Sequence, residues 1–259
     1  MRVGAKSDPG RVRATNEDRY GILPNLLAVA DGMGGMQAGE VASQMVIDTL
    51  LLYPFTGAAG EELVAAIKEA NRKINQAAQR KPEWAGMGTT VTAALLSQDE
   101  CCIAQVGDSR AYLIRDGAIQ RLTNDHSLVG ELVRNGSISA EEAMLHPHRN
   151  LLTRALGSAE EVEVDLTRLI LNLDDVLILC TDGLTGLLTD EEILAETMRH
   201  AEPQAAAEGL VALANARGGP DNITVIVAHV LPPVLQLPPE MESSTRLENA
   251  LAMESVGLR

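Results

Sequence analysis

Aspartates beside β-like apolar runs are the residues of this sequence best suited to chemistry. In four places such a run meets an aspartate and a small or turn-forming residue, at Asp31, Asp108, Asp182 and Asp221. A further acidic pair, Glu17-Asp18, directly precedes a β-like run at residue 20. Aspartates at strand ends can converge on one rim of a sheet, and such clusters of carboxylate oxygens suit hard cations such as Mg²⁺ or Mn²⁺.

Each aspartate also has a simpler interpretation. Asp-Gly and Gly-Asp are common turn sequences, and a single instance marks a turn more often than a metal ligand. Four instances at strand ends are harder to explain by turns alone. A set of turns and a metal–carboxylate site therefore both remain open from these residues.

Other kinds of reactive site find little support. Gly32-Met-Gly34-Gly35 is not a dinucleotide fingerprint, because position 37 is Gln where the third glycine belongs, and no P-loop lysine follows. The histidines form no H-E-x-x-H pattern, and His146-Pro-His148 fits a solvated loop better than a ligand pair. No Gly-x-Ser-x-Gly elbow is present, which disfavours a serine hydrolase of that type.

Strand and helix patterns are segregated along the chain. Helical periodicity occurs at residues 41–50, 63–80, 193–198 and 210–213, and β-rich runs lie before, between and after these segments. Such an order is typical of an α+β fold rather than of alternating βαβ units. The β-rich runs cover residues 3–7, 20–23, 26–30, 89–96, 101–106, 111–115, 162–168, 176–180 and 223–229.

Composition changes sharply after residue 231. Four prolines occur between residues 232 and 239, and the remainder to residue 259 is polar with scattered Leu and Met. We therefore predict one domain over residues 1–231 and a Pro-rich flexible tail over residues 232–259.

The composition argues against several classes of protein. The formal net charge is −15, whereas nucleic-acid binders and proteins held on anionic lipid need clustered positive charge. The three cysteines lack C-x-x-C spacing and are expected to be buried free thiols. There is neither a signal-peptide pattern nor an apolar run near the roughly 18 residues of a membrane span. We expect a soluble cytoplasmic protein without nucleic-acid or membrane partners.

Six motifs, in this order and at this approximate spacing, resemble the metal-dependent type 2C serine/threonine protein phosphatases, and the compact bacterial branch most of all. The resemblance covers residues 2 to about 231. The motifs are Arg13-Ala-Thr-Asn-Glu17-Asp18, Val29-Ala-Asp31-Gly-Met-Gly-Gly35, Met87-Gly-Thr-Thr90, Val106-Gly-Asp108-Ser-Arg110, Cys180-Thr-Asp182-Gly-Leu184 and Gly219-Pro-Asp221-Asn222.

This resemblance implies an α-β-β-α sandwich of two stacked antiparallel sheets flanked by helices, with two Mn²⁺ or Mg²⁺ ions in a cleft at one end. Asp31 would bridge both ions and the carbonyl of Gly32 would bind one of them. Asp182 and Asp221 would hold the other ion.

The resemblance also assigns roles around this pair of ions. Glu17 and Asp18 would orient metal-bound waters, so that Asp18 counts among the catalytic residues. Asp108, with Asp182, matches the position of a possible third ion. Arg13 would contact the substrate phosphate, and residues 123–160 match a mobile flap beside the cleft.

Two positions depart from the family pattern. Met36 stands where bacterial members usually carry His, so a histidine role in phosphoester cleavage is absent or supplied elsewhere. Gly186 stands where many relatives carry an acidic residue, which weakens the case for a tightly held third ion. The residues implied for the two-metal centre are all present.

The implied activity is hydrolysis of phosphorylated Ser/Thr proteins, the targets of a cognate kinase, by a monomeric enzyme. A hydroxide bridging the two ions would attack phosphorus directly, without a phospho-enzyme. Two alternatives remain from the sequence: a metal phosphatase acting on small phosphate esters, and a catalytically silent interaction domain of the same fold.

Overall fold

The computed structural model describes residues 1–34, 38–97 and 100–231. Met36 and the Pro-rich segment 232–259 lie outside these residues. Most strands belong to two five-stranded antiparallel sheets, and β4 (Gly32–Met33) pairs separately with β5 (Gly88–Thr89). The first sheet has the order β1 (Arg2–Asp8), β12 (Ile223–His229), β11 (Val176–Cys180), β8 (Arg110–Arg115), β9 (Ala118–Arg121). The second has the order β10 (Asp165–Leu169), β7 (Cys101–Val106), β6 (Val91–Leu96), β3 (Leu26–Ala30), β2 (Arg19–Leu23).

The two sheets pack face to face through an apolar layer. Leu27 and Ile103 of the second sheet share this layer with Leu177 and Ile226 of the first sheet. Every residue of β3, β7 and β11 is buried, because these strands have a sheet on one side and helices on the other. Burial on both faces explains why these strands read as continuous apolar runs rather than as alternating ones.

Helices cover both outer faces. The second sheet carries α1 (Ala38–Leu52) and α2 (Ala59–Arg80), whose apolar sides share one core cluster with β3, β6 and β7. The first sheet carries α5 (Asp182–Thr185), α6 (Asp190–Met198) and α7 (Pro203–Ala216), which form another cluster with β8, β11 and β12. The expected α-β-β-α sandwich is therefore confirmed.

Reciprocal side-chain caps define the starts of two helices. The Ser139 side chain accepts a hydrogen bond from the Glu142 backbone, and the Glu142 side chain accepts one from the Ser139 backbone, which forms a capping box at the start of α4 (Ala140–Leu145). Thr189 caps α6 with the same reciprocal geometry towards Glu192. Each box satisfies two backbone donors that the first helical turn leaves free.

The segment predicted as a flap, residues 123–160, contains buried residues near both ends and is mostly exposed in the middle. At one end Asp125, His126 and Ser127 are buried, and at the other Leu156 is buried and bonded through its backbone to Thr89. Between them, α3 (Leu128–Arg134) buries no residue, and α4 and the following turn are mostly exposed.

We expect this difference to appear in amide hydrogen exchange. Amides of residues 131–150 should exchange faster than those of β11, because they have few buried contacts to protect them. The amides of His126, Thr153 and Leu156 should exchange slowly, because each donates a backbone hydrogen bond, to Gly107, His126 and Thr89 respectively. Mass-spectrometric exchange on the intact protein measures both. Equal protection of residues 131–150 and of β11 would contradict a mobile flap.

Candidate active site

A cleft of about 730 Å³ opens at one end of the sandwich. The antiparallel order brings the ends of β3 and β11 to the same edge as the starts of β2, β8 and β12, since Arg19 pairs with Ala30, and Cys180 with both Arg110 and Val225. Seven of the eight predicted site residues line this cleft: Arg13, Glu17, Asp31, Gly32, Asp108, Asp182 and Asp221. The eighth, Asp18, is buried behind it and accepts a 2.8 Å hydrogen bond from Thr181 Oγ1.

Two threonines fix the backbone of Asp31. The Asp31 N–H donates to Thr90 Oγ1 at 2.9 Å, and Thr90 N and Thr89 Oγ1 donate to the Asp31 carbonyl at 2.9 and 2.8 Å. Thr90 Oγ1 also lies 2.7 Å from Ser109 Oγ, beside Asp108. Hydroxyl groups thus connect the strand ends that carry two of the aspartates.

Gly32 occupies a position where a side chain cannot fit. A Cβ atom there would lie 2.2 Å from the Gly39 carbonyl oxygen and 2.7 Å from that of Glu17. The start of α1 therefore packs directly on the backbone that follows Asp31. This close approach explains the Asp-Gly sequence without reference to a turn.

The turns that carry Asp182 and Asp221 are in equally close contact. A Cβ atom on Gly183 would lie 1.9 Å from the Asn222 carbonyl oxygen. The Asn222 side chain donates to the carbonyls of Pro9 and Thr15 at 3.0 and 2.9 Å, and accepts from Glu17 N at 2.8 Å. A single amide therefore ties the loop that precedes β2 to the turn that precedes β12.

The cleft concentrates negative charge. Burial, together with the charges of Asp182 and Asp221, raises the pKa of Asp18 to about 7. Burial likewise raises the pKa values of Asp31, Asp108 and Asp182, and nearby carboxylates act in the same direction. Ionised carboxylates in this setting are unstable unless positive charge compensates them.

The donor set fits divalent cations. Asp18 Oδ1 and Asp182 Oδ1 are buried and have no hydrogen-bond partner among the described residues. Hard cations prefer such oxygen ligands. No group of three or more His, Cys, Asp or Glu side chains in the described residues is already arranged around a common metal position. Cations would therefore have to draw these oxygens together.

Arg13 lies at the edge of the cleft. Its Nη2 donates to Asp221 Oδ2 at 2.9 Å, and its side chain is 55 % exposed. The hydrogen bond and the charge of Asp221 raise the pKa of Arg13, so its positive charge persists at every relevant pH. A partly exposed guanidinium beside the carboxylates is accessible to a bound anion.

His126 contributes to the site but was not predicted to do so. Its backbone N–H donates to the Gly107 carbonyl at 2.9 Å, and its Nδ1 accepts from Gly107 N at 3.1 Å. Asp165 Oδ2 lies 3.2 Å from the opposite ring nitrogen. His126 thereby fixes the residue before Asp108 to the start of the flap. A lone histidine in a loop gives no sequence signal for such a contact.

The fold and the carboxylate cleft together place the chain in a known class. Residues 12–215 match the family described as Protein phosphatase 2C, and the chain belongs to this family. It is 44 % identical over 234 residues to the serine/threonine protein phosphatase PstP of Mycobacterium tuberculosis, which covers 89 % of this chain and 45 % of that protein. The chain thus spans about half the length of PstP.

Two further relatives match along most of their length. The serine/threonine phosphatase stp of Listeria innocua is 42 % identical over 242 residues, covering 88 % of this chain and 95 % of that protein. The crystal structure of the PstP catalytic domain in complex with two manganese ions superposes with a TM-score of 0.83 at 42 % identity. That match covers 89 % of this chain and 98 % of the other.

Repulsion within the cleft predicts how the metal-free protein depends on pH. A carboxylate whose folded pKa is raised binds more protons in the folded than in the unfolded state, so stability falls as pH rises through that interval. We expect Asp182→Asn to stabilise the chelator-treated protein at pH 8, by about 1 kcal/mol, because one charge is removed from a cluster of like charges. At pH 5 the gain should be smaller.

Thermal unfolding in chelator at both pH values measures this effect. Asp116→Asn is the matched control, because Asp116 is exposed in a tight turn with φ of 52° that Asn also adopts. Identical Tm changes for the two variants, or a gain that is larger at pH 5, would show that Asp182 is not under electrostatic strain.

Proposed function

We propose that this chain is a metal-dependent protein serine/threonine phosphatase that hydrolyses phosphomonoesters. The observation that carries the proposal is the convergence of partly buried, mutually repelling carboxylates and the Arg13 guanidinium on a single open cleft. Family membership and the two manganese ions of the PstP structure support it.

The residues that would hold the ions are those that line or adjoin the cleft. Asp31 and the Gly32 carbonyl would bind one ion. Asp31, Asp182 and Asp221 would bind the second ion. Asp108, with Asp182, matches the position of a third ion. When bound, two divalent cations neutralise the carboxylates, attract a phosphate dianion and acidify water. Glu17 and Asp18 would hold the waters around them. Asp18 is fixed for this task by Thr181.

Arg13 would bind the substrate phosphate. Its planar guanidinium can pair with two phosphate oxygens at once. In the structure it pairs with Asp221, which places it beside a proposed metal ligand and at the mouth of the cleft. A phosphate held at the ions would lie within reach of the donors that this contact leaves free.

A covalent cysteine mechanism is excluded for the described cysteines. All three cysteines are buried free thiols. Burial raises the pKa of Cys102 to about 11 and those of Cys101 and Cys180 to about 12, so none of the three is a thiolate at neutral pH. Only the thiolate is an effective nucleophile. Hydrolysis by activated water is therefore the chemistry that these residues support.

The substrates we propose are phosphorylated Ser/Thr proteins modified by a cognate kinase, in a signalling role. The names of the bacterial relatives, which are serine/threonine phosphatases, support this choice. We also propose a monomer in the cytoplasm, where free thiols persist. No helix in residues 1–34, 38–97 and 100–231 is long and apolar enough to cross a membrane.

The metal requirement is the first test. Hydrolysis of a phosphothreonine peptide should require Mn²⁺ or Mg²⁺ and cease after chelation, since the cleft repels phosphate without cations. Asp221→Asn should lose more than about tenfold in activity at limiting metal, because one ligand charge is removed. Asp116→Asn serves as control. Activity that survives exhaustive chelation would overturn the proposal, and turnover of only small aryl phosphates would favour a small-ester phosphatase.

Arg13 provides the second test. Arg13→Ala should lower kcat/KM on a phosphopeptide about ten- to hundredfold, mainly by raising KM, since a charge-assisted hydrogen bond to the ground-state dianion contributes about 1.5–3 kcal/mol. Arg13→Lys should retain more of the wild-type kcat/KM than Arg13→Ala but not all of it, because Lys lacks the planar guanidinium fork.

Arg11→Ala is the matched control, because Arg11 is an exposed arginine two residues away that does not line the cleft. Metal affinity should not fall in Arg13→Ala. The Arg13 guanidinium competes with metal ions for Asp221, and the substitution removes this competitor. An unchanged KM in Arg13→Ala would show that Arg13 forms only a surface ion pair and does not bind the substrate phosphate.

A further inference from the structure

A second cavity, of about 220 Å³, lies beside the catalytic cleft under α3 and α4. The two spaces share Asp108, Asn150 and Asp182 as common wall residues. The second cavity therefore adjoins the cleft along this wall. The activity assigned above uses only the two aspartates that this cavity shares with the cleft.

The inner wall of this cavity holds two guanidinium groups for one carboxylate. Arg110 donates to Asp125 through Nε at 3.0 Å and Nη2 at 2.7 Å, and Arg121 pairs with the same carboxylate. Burial and the charge of Arg110 both lower the pKa of Arg121, which still remains protonated. The group formed by Arg110, Arg121 and Asp125 therefore carries one net positive charge.

The flap side of the cavity adds further positive charge. Arg134 and Arg149 are exposed, line the cavity and pair with no carboxylate among the described residues. Arg134 donates one Nη1 bond to the Asp125 carbonyl at 2.8 Å, which leaves the rest of its fork free. Four arginines thus face a space whose only other charged lining groups are Asp125 and the two aspartates shared with the cleft.

Gly186 keeps the mouth of the cavity free of a further carboxylate. It is exposed at the end of α5, and a Cβ atom there would meet only the Asp182 carbonyl oxygen, at 3.1 Å. A side chain would fit at this position. Its absence leaves the arginines without an acidic neighbour on this side.

We propose that the second cavity is a subsite for a second anionic side chain, phosphorylated or carboxylate, of the same phosphoprotein whose target phosphate enters the cleft. This inference rests on the proposed function, because cations bound to Asp108 and Asp182 leave the arginines as the dominant charge. Arginine forks suit phosphate and carboxylate alike. An extended peptide advances about 3.3–3.6 Å per residue, so the second anion lies within a few residues of the first.

Paired phosphopeptides test this subsite. Each peptide carries one phosphothreonine and either phosphoserine, Asp or Ala at one neighbouring position, and the positions are scanned on both sides. We expect kcat/KM to be about three- to tenfold higher for the anionic peptide than for its Ala partner at one or two positions. In Arg134→Gln and Arg149→Gln this ratio should fall towards one.

Matched variants separate the subsite from general charge effects. Arg72→Gln removes an exposed arginine of α2 and the same unit of charge, and it should leave the ratio unchanged. At saturating metal, Gly186→Asp should lower the ratio by placing a carboxylate at the mouth, whereas Gly186→Asn, of equal size but neutral, should lower it less.

Direct binding keeps the inference testable if turnover fails. Fluorescence anisotropy of a doubly phosphorylated peptide, with Mn²⁺ present, should show several-fold weaker binding to Arg149→Gln than to Arg72→Gln. Loss of all phosphatase activity would refute the proposed function while leaving this difference measurable. A wild-type ratio of one at every position, or an equal loss on both peptides, overturns the subsite. If Arg149→Gln weakened the binding of inorganic phosphate while the wild-type kcat/KM ratio of the paired peptides was one, the cavity would be a site for free anions. That result would also overturn the subsite.

Discussion

Mutual repulsion among the carboxylates at one end of the sandwich is the constraint on which the rest of the site depends. Asp18, Asp31, Asp108 and Asp182 all have pKa values raised by burial, so each is held where its ionised form is disfavoured. The apolar layer between the sheets and the packing of helices on both outer faces stabilise the fold and offset this electrostatic destabilisation. Cations convert the same repulsion into affinity.

Neutral groups hold these charges in place. Thr90 bonds the backbone of Asp31, Asn222 joins the loop of Glu17 to the turn of Asp221, and His126 fixes Gly107 beside Asp108. Because none of these connectors carries a charge in its bonded form, they position the carboxylates without neutralising them. The contacts of these three residues therefore leave the carboxylate oxygens themselves available to cations.

Part of the fold and of the candidate site could be predicted from the sequence. The aspartates were recognisable because each stands beside an apolar strand, and the ordered motifs added the sandwich and the cleft. The contacts of Asn222 and His126 were not predictable, since they depend on atoms brought together from distant parts of the chain. The short strands β4 and β9 were missed, and β5 was not separated from β6 in the run 89–96, because two to four residues are too few to show a period.

The position of β12 has a consequence for how the protein is made. β12 is the last described strand in the sequence, yet it lies between β1 and β11 inside the first sheet. During translation β1 has no neighbour in this sheet until nearly all the described residues have left the ribosome. The loop that bears Arg13 and Glu17 then meets Asp221 only when β12 inserts. The first sheet and the contacts between the loop of Arg13 and the turn of Asp221 are therefore completed together, at the end of synthesis of the described residues.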